Sequence, residues 1–204
     1  MPRSHRELPD EALMLAYAQG DAGAFDELYA RHEAALYRFV RRLLGASLAA
    51  QADEVFQDCW LRIVAARSSF RPEGAAWRTW AFTIAHNLAM DRLRVSGREV
   101  AIDAEDDGDS PLDWLMAHLD QVAPSSEDHA FWRAAGAQLL HCLEALPEAQ
   151  RAAFLLHHED GASVEDLAQR LALPFETAKS RLRYALKKLR GCMGDYLVPL
   201  ESAP

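Results

Sequence analysis

Residues 163–171 read Ser163-Val164-Glu165-Asp166-Leu167-Ala168-Gln169-Arg170-Leu171, and Ala172-Leu173-Pro174 follow. Then come Phe175-Glu176-Thr177-Ala178-Lys179-Ser180-Arg181-Leu182-Arg183-Tyr184-Ala185-Leu186-Lys187-Lys188-Leu189-Arg190. Ser163 with an acid three residues later is a capping-box-like helix start. The first helix would turn Val164, Leu167, Ala168 and Leu171 inward. A three-residue turn separates it from a second helix spanning about Phe175 to Gly191. In that helix Ala178, Leu182, Leu186 and Leu189 recur at helical spacing, with Lys179, Arg183, Lys187 and Arg190 opposite them. A short helix, a tight turn and a second helix with a basic face make the helix-turn-helix pattern. The N-terminal half of such a second helix meets base edges in the major groove, while adjacent cations hold phosphates. Lys179, Ser180 and Arg183 are placed to reach bases, and Thr177, Arg181, Tyr184 and Lys187 complete the DNA-facing set. Lys188 and Arg190 suit phosphates or plain solvated charge. A basic surface helix with no partner is the bland alternative, since charge runs are usually solvated faces. The capped helix ahead of it argues against that.

Working outward, the apolar period is helical almost throughout, which predicts an all-α protein of two small helical domains. Pro147 marks the start of a helix that Gly161 ends, and the C-terminal domain begins near Asp128, with bounds taken as 130–194. Asp10 is read as the cap of a first helix ending near Gly20. Asp21 starts a second, with Phe25, Leu28, Tyr29, His32, Leu36, Phe39, Val40 and Leu43 on one face, ending near Gly45. Two more helices follow, at about Ala50–Ala66 and Ala76–Val95, joined by a loop through Pro72 and Gly74. These make an N-terminal domain over 7–98. Between the domains, residues 99–129 carry ten acids and no Lys or Arg, and read as an acidic linker.

The chain has 204 residues and a formal net charge of −9, an unusual balance for a DNA-binding protein. The linker alone accounts for it. Outside the linker the balance is slightly positive, and residues 174–192 hold six cations against Glu176 alone. No N-terminal apolar run resembles a signal peptide and nothing approaches a membrane span, so a cytoplasmic protein without membrane contact is expected. Cys59, Cys142 and Cys192 are far apart and form no CxxC, which predicts small buried apolar residues rather than a disulfide or a zinc site. His157 and His158 are adjacent and point apart on a helix, a poor metal pair. No metal and no cofactor are expected.

Two stretches of the N-terminal domain suggest partners. In Asp53-Glu54-Val55-Phe56-Gln57-Asp58-Cys59-Trp60, the residues Val55, Cys59 and Trp60 can face inward, leaving Asp53, Glu54, Gln57 and Asp58 as an acidic outer patch. A docking surface for a basic partner fits better than a catalytic pair, because no phosphate-binding loop, nucleophile with base or metal set accompanies it. The second stretch runs from Ser68 to Arg94. There Phe70, Arg71, Trp77, Arg92 and Arg94 set aromatics beside cations, as single-stranded DNA binding requires, and Asn87 can read a base edge. Trp80, Ile84 and Leu88 share a face at i, i+4 spacing and are assigned to the core, whereas Phe70 lies in a loop where it is harder to bury.

At these residues the chain resembles the extracytoplasmic-function (ECF) sigma factors of the sigma-70 type, over about Glu7 to Arg190. Gly20-Asp21 with Ala24-Phe25, Asp53 through Leu61, and Trp80 through Arg94 are similar to sigma region two. Leu146-Pro147, Arg151, Gly161 and Thr177 through Leu182 are similar to sigma region four. Glu176 stands where the family often has Gly. The resemblance implies a factor that binds core RNA polymerase, recognises promoter DNA at its minus-35 and minus-ten elements, and performs no catalysis. It implies that Asp53 to Asp58 dock on the clamp helices of the beta-prime subunit, that the C-terminal domain meets the beta flap, and that Phe70 and Asn87 hold a base flipped from the minus-ten element. An anti-sigma factor is a further implied partner, and the acidic linker would pass through the basic RNA path of the polymerase. The alternative is a polymerase-independent helix-turn-helix regulator. Such proteins usually dimerise on half-sites, and that reading leaves the N-terminal domain without a purpose.

Overall fold

The computed structural model describes residues 4–96 and 128–201, so every expectation about the acidic linker falls outside the described residues. Contacts divide the chain into two units, parting between Arg98 and Glu99. Among the described residues the elements are helices only.

The N-terminal unit contains α1 (Asp10–Ala18), α2 (Ala22–Leu44), α3 (Ala52–Ala65) and α4 (Trp77–Val95), with 3-10 turns at Ala46–Gln51 and Arg67–Ser69. Helix α2 begins because the Asp21 carboxylate accepts the Ala24 N–H at 3.2 Å. It stops at Gly45, whose φ of 69° suits glycine. Leu28, Leu36, Phe39, Val40 and Leu43 are fully buried along its inner stripe, as the period predicts. Each such side chain contributes about 1.5–3 kcal/mol by leaving water.

Asp10 departs from its expected role. The residue at the cap position of α1 is Pro9, and Asp10 turns instead to α2, accepting from Arg31 Nη1 at 2.9 Å and bonding His32 Nε2 at 2.7 Å. A grip on two side chains across helices, one of them the Arg31 guanidinium, outcompetes a single local backbone N–H. Burial pushes the Asp10 carboxyl up, but the His32 and Arg31 hydrogen bonds and charges outweigh it and hold the group below the usual carboxylate range.

The inward face of α4 also differs from the expected Trp80, Ile84 and Leu88, all of which are half-buried. The buried row is Trp77, Ala81, Ala85, Ala89 and Leu93, joined by Phe82. The three alanines allow α2 and α3 to approach closely, which turns the larger side chains to the rim. Trp77 is fully enclosed, 4.5 Å from the His32 ring and 6.3 Å from the Trp60 ring.

The C-terminal unit contains α5 (Asp128–Glu144), α6 (Glu148–Asp160), α7 (Val164–Arg170) and α8 (Phe175–Glu201). Pro147 precedes α6 and Gly161, at φ 73°, closes it, both as read from sequence. Helix α6 buries every residue from Glu148 to Leu156. Helix α8 runs ten residues past Gly191, the expected end, and packs on α5, α6 and α7. Its buried row is Ala178, Leu182, Ala185, Leu189 and Met193, with Ala185 inside and Leu186 half-buried. Met193 gives the extension something to bury.

The cysteines need one correction. Cys59 is a buried free thiol, as expected, and burial pushes its pKa up to about 12. Cys142 and Cys192 instead form a disulfide between α5 and α8, with Cα atoms 5.8 Å apart. Fifty residues separate them in sequence, so only the antiparallel return of α8 onto α5 brings them together. Gln138 Nε2 donates to the Cys192 carbonyl at 3.1 Å and fixes that approach.

Candidate nucleic-acid interface and acidic docking face

The helix-turn-helix is built as its sequence indicates. Ser163 Oγ accepts the Asp166 N–H at 3.1 Å, and Asp166 Oδ2 accepts the Ser163 N–H at 2.9 Å, a complete capping box. The backbone N–H of Ser163, then its hydroxyl, hold the Asp166 carboxyl below its ordinary range. At the other end of α7, Arg170 pairs with Asp160 of α6, and the Asp160 side chain is wholly buried. The turn closes through the Leu173 N–H on the Ala168 carbonyl at 2.9 Å. It carries Ala172 at φ 51°, a left-handed conformation that disfavours a Cβ.

These contacts set the first turns of α8 against α7. Lys179 and Lys187 are exposed, and Thr177, Ser180, Arg183 and Tyr184 are partly exposed. The Arg183 guanidinium sits 5.4 Å over the Tyr184 ring. Arg181 stands between the buried Ala178 and Leu182, so burial pushes its pKa down and much of its side chain faces protein. The solvent-facing polar groups of these turns are therefore centred on Lys179, Ser180, Arg183 and Lys187.

In the N-terminal unit the structure separates the aromatics from the polar candidates. Phe70 is 2% exposed, 5.3 Å from the Trp80 ring, and Trp77 is 0% exposed. Neither ring, as placed, can stack on a base. This corrects the loop-based expectation for Phe70 and the cation-neighbour reasoning for Trp77: a ring in a helical bundle of this size finds the core first. Arg71 is exposed, and its Nη1 donates to the Ser68 and Phe70 carbonyls at 2.9 and 2.8 Å, curling the loop. Asn87 is exposed, with Oδ1 3.2 Å from His86 Nδ1. Arg92 donates to Glu54 at 2.8 Å and stands 3.9 Å from Asp58, and Arg94 pairs with Asp91 at 2.9 Å.

The acidic face lies on α3. Asp53 accepts from the Tyr37 hydroxyl at 2.8 Å, and that bond holds the Tyr37 pKa above its ordinary value. Glu54 and Gln57 are exposed, and the Asp58 side chain keeps 47% of its surface. Leu61 extends this row and is 66% exposed. It opens onto a groove of about 350 Å³ lined by Asp58, Leu61, Arg62, Ala65 and Leu88. From sequence, Leu88 is assigned to the core and Leu61 is not singled out within the Asp53–Leu61 stretch. The available signal was that Leu61 follows Glu54, Gln57 and Asp58 at helical spacing, an apolar residue on a polar row.

Residues 28–99 match the family Sigma-70 region 2, and residues 136–189 match Sigma-70, region 4. The chain is 32% identical to the ECF RNA polymerase sigma factor SigK of Mycolicibacterium vanbaalenii, over 90% of this chain and 89% of that one. The chain belongs to the ECF sigma factors. It is a transcription initiation factor and not an enzyme. This sigma factor is also 29% identical to SigK of Mycobacterium tuberculosis, over 94% of its length and 96% of the relative. Its fold is shared with CnrH, solved in complex with the cytosolic domain of CnrY (TM-score 0.59, 22% identity, 91% of this chain and 97% of that one). The sigma factor RpoE of Bartonella quintana, solved with the anti-sigma factor NepR, gives a TM-score of 0.54 at 24% identity, over 83% of this chain and 96% of that one. The family match thus places the helix-turn-helix in region 4, and the acidic face and the Ser68–Arg94 stretch in region 2.

Proposed function

We propose that this sigma factor reads the minus-35 element with α8 and opens the minus-ten element with the loop of residues 68–76 and the outer face of α4. The observation that carries the reading is the exposed basic first half of α8, presented by a capped α7. Lys179, Ser180 and Arg183 face bases, Lys187 faces phosphate, and Thr177, Arg181 and Tyr184 border them. Arg71 and Asn87 are the exposed groups that would receive a flipped base, while Phe70 and Trp77 support them from inside. Extruding a base costs a few kcal/mol, so exposed polar groups already held in place favour opening. Arg92 and Arg94 are paired to acids in the free protein and would reach DNA only by exchanging those partners. Asp53, Glu54, Gln57 and Asp58, with Leu61 at their end, form the face for the beta-prime clamp helices, and the C-terminal unit meets the beta flap. We take the functional bounds as 7–98, 99–129 and 130–194.

An anti-sigma partner is supported by the RpoE–NepR complex. Among the described residues no helix is long and apolar enough to cross a membrane, and action with RNA polymerase supports the reading of a cytoplasmic protein. The test is run-off transcription on fragmented genomic DNA, with bacterial core polymerase and with or without this protein. Starts that appear only with it, sharing two spaced upstream elements, are expected. DNA retained by the protein alone, with no new starts, would favour a polymerase-independent regulator.

A further inference from the structure

We propose that Glu11 is a positioning residue for promoter opening, acting from α1 as the N-terminal cap of α4. The inference rests on the assignment of residues 68–76 and α4 to the minus-ten element. Helix α4 has no cap of its own: Ala76 occupies the cap position and has no side chain that can accept. Glu11 Oε1, 66 residues away in sequence, accepts the Trp77 N–H at 3.0 Å. A carboxylate at that end also meets the positive pole of the helix dipole. Helix α1 holds the other end of the loop as well, with the Arg67 guanidinium lying 5.7 Å from the centre of the Tyr17 ring. Residues 67 and 77 bracket the loop, so one short helix anchors both of its ends. The grip is firm because α1 is itself fixed, through Asp10, to Arg31 and His32 of α2, and the His32 ring rests on Trp77. The family match to region 2 begins at residue 28, so α1 lies outside it.

Glu11 touches no DNA in this scheme. It fixes the first turn of α4, and with it the loop's exit and the phase of the helix that presents Asn87. Loss of the cap would let that turn fray, and it would then have to be ordered at the moment the base flips.

The experiment uses the full chain, core polymerase and a promoter found by run-off. Opening is followed by permanganate reactivity of unpaired thymines, on duplex DNA and on a template already mismatched across the minus-ten element. Glu11→Ala should slow opening of duplex DNA by about fivefold, the factor expected for a lost cap. It should leave transcription from the pre-opened template unchanged. Glu11→Gln keeps an acceptor oxygen and should stay within about twofold, since its loss is only the charge term. Ala76→Asp in the Glu11→Ala background supplies a local cap and should restore opening. Its φ of −56° and ψ of 147° already suit a capping side chain. Arg71→Ala and Asn87→Ala are run alongside. If they slow opening and Glu11→Ala does not, the proposal alone falls. If they too open at the normal rate, the minus-ten assignment falls and takes the proposal with it. Equal slowing of Glu11→Ala on the pre-opened template, or a rescued melting temperature in the Ala76→Asp double variant without rescued opening, also overturns it.

Discussion

Breaking the Cys142–Cys192 bridge should destabilise the C-terminal unit and leave the N-terminal unit alone. The bridge closes a loop with a sequence separation of 50 residues. In the chain-entropy account a loop of that size constrains the unfolded state by about 4 kcal/mol. Cys192→Ser is the cleanest perturbation. Cys192 is the partly exposed half, whereas Cys142 is 1% exposed and its thiol can stay packed. The Gln138 bond goes to the main-chain carbonyl of residue 192, so the substitution preserves it. For a unit of this size about 4 kcal/mol corresponds to a fall of roughly 15–30 °C in melting temperature. The chain has two units, so one global transition is not the right observable. Pulsed hydrogen exchange across a denaturant series reads α5–α8 separately from α1–α4. Thiol labelling supplies the control: the unfolded wild type should show one reactive thiol, Cys59, and the folded protein none, because Cys59 is buried with its pKa pushed up to about 12. If labelling shows one thiol and the α5–α8 midpoint is the same in wild type and variant, the loop-entropy reasoning is refuted. If three thiols react in the unfolded, non-reduced protein, the bridge is absent. In a reducing compartment such bonds open, and the Cys192→Ser midpoint then gives the stability that packing alone supplies to α5–α8.

Three further outcomes test the assignments. Trp77→Ala should cost the N-terminal unit about 3–5 kcal/mol, as removal of a fully buried aromatic does, whereas Trp80→Ala should leave the unit folded; thermal melts separate the two. Ala172→Gly should stabilise the C-terminal unit by about 0.5–1 kcal/mol in denaturant titration, since it relieves the left-handed φ of 51° in the turn. Asp10 titrates lower folded than unfolded. Its contribution is therefore complete above the unfolded value of about 3.9 and is lost as pH falls through the lower folded value; Asp10→Asn should flatten that acid limb in a pH series of N-terminal melts.

Much of this was legible in the sequence because local signals and tertiary needs agreed. Asp21, Gly45, Pro147, Ser163 with Asp166, and Gly161 each bound a helix by short-range chemistry that no distant contact opposes. Disagreement arose where a long-range contact offered more than a local one. Asp10 is equally good as a cap or as an ion-pair partner, and the choice depends on Arg31 and His32 lying opposite. The inward face of α4 could be read through Trp80 or through Trp77, and helical spacing suits both. What separates them is the alanine row, which matters only once two neighbouring helices must come close. Phe70 looked exposed because it lies in a loop, yet its ring closes on Trp80. Cys142 and Cys192 carry no pairing signal, because the separation that brings them together belongs to the helical return. Leu61 carries only a weak signal, because a single apolar residue on a row of acids is common on helix surfaces and its 66% exposure shows only in the structure.

The fate of the cations explains how an acidic protein can work on DNA. In the N-terminal unit Arg31, Arg92 and Arg94 are spent on acids of the same unit. Of these, the more exposed pairs of Arg92 and Arg94 contribute about 0–1 kcal/mol each to stability, so their larger effect is to withhold charge from a polyanion. On α8 the lysines Lys179, Lys187 and Lys188 are exposed and have no ion pair among the described residues. Arg38, Arg41, Arg62 and Arg71 of the N-terminal unit are likewise exposed with no ion pair among the described residues, so cations available to phosphate, and the salt dependence that comes with them, occur in both units. The N-terminal unit would engage DNA through exposed polar groups such as Asn87, once its partner has brought the strands within reach. The −9 total therefore does not conflict with DNA binding by either unit, because the ten acids of residues 99–129 account for it.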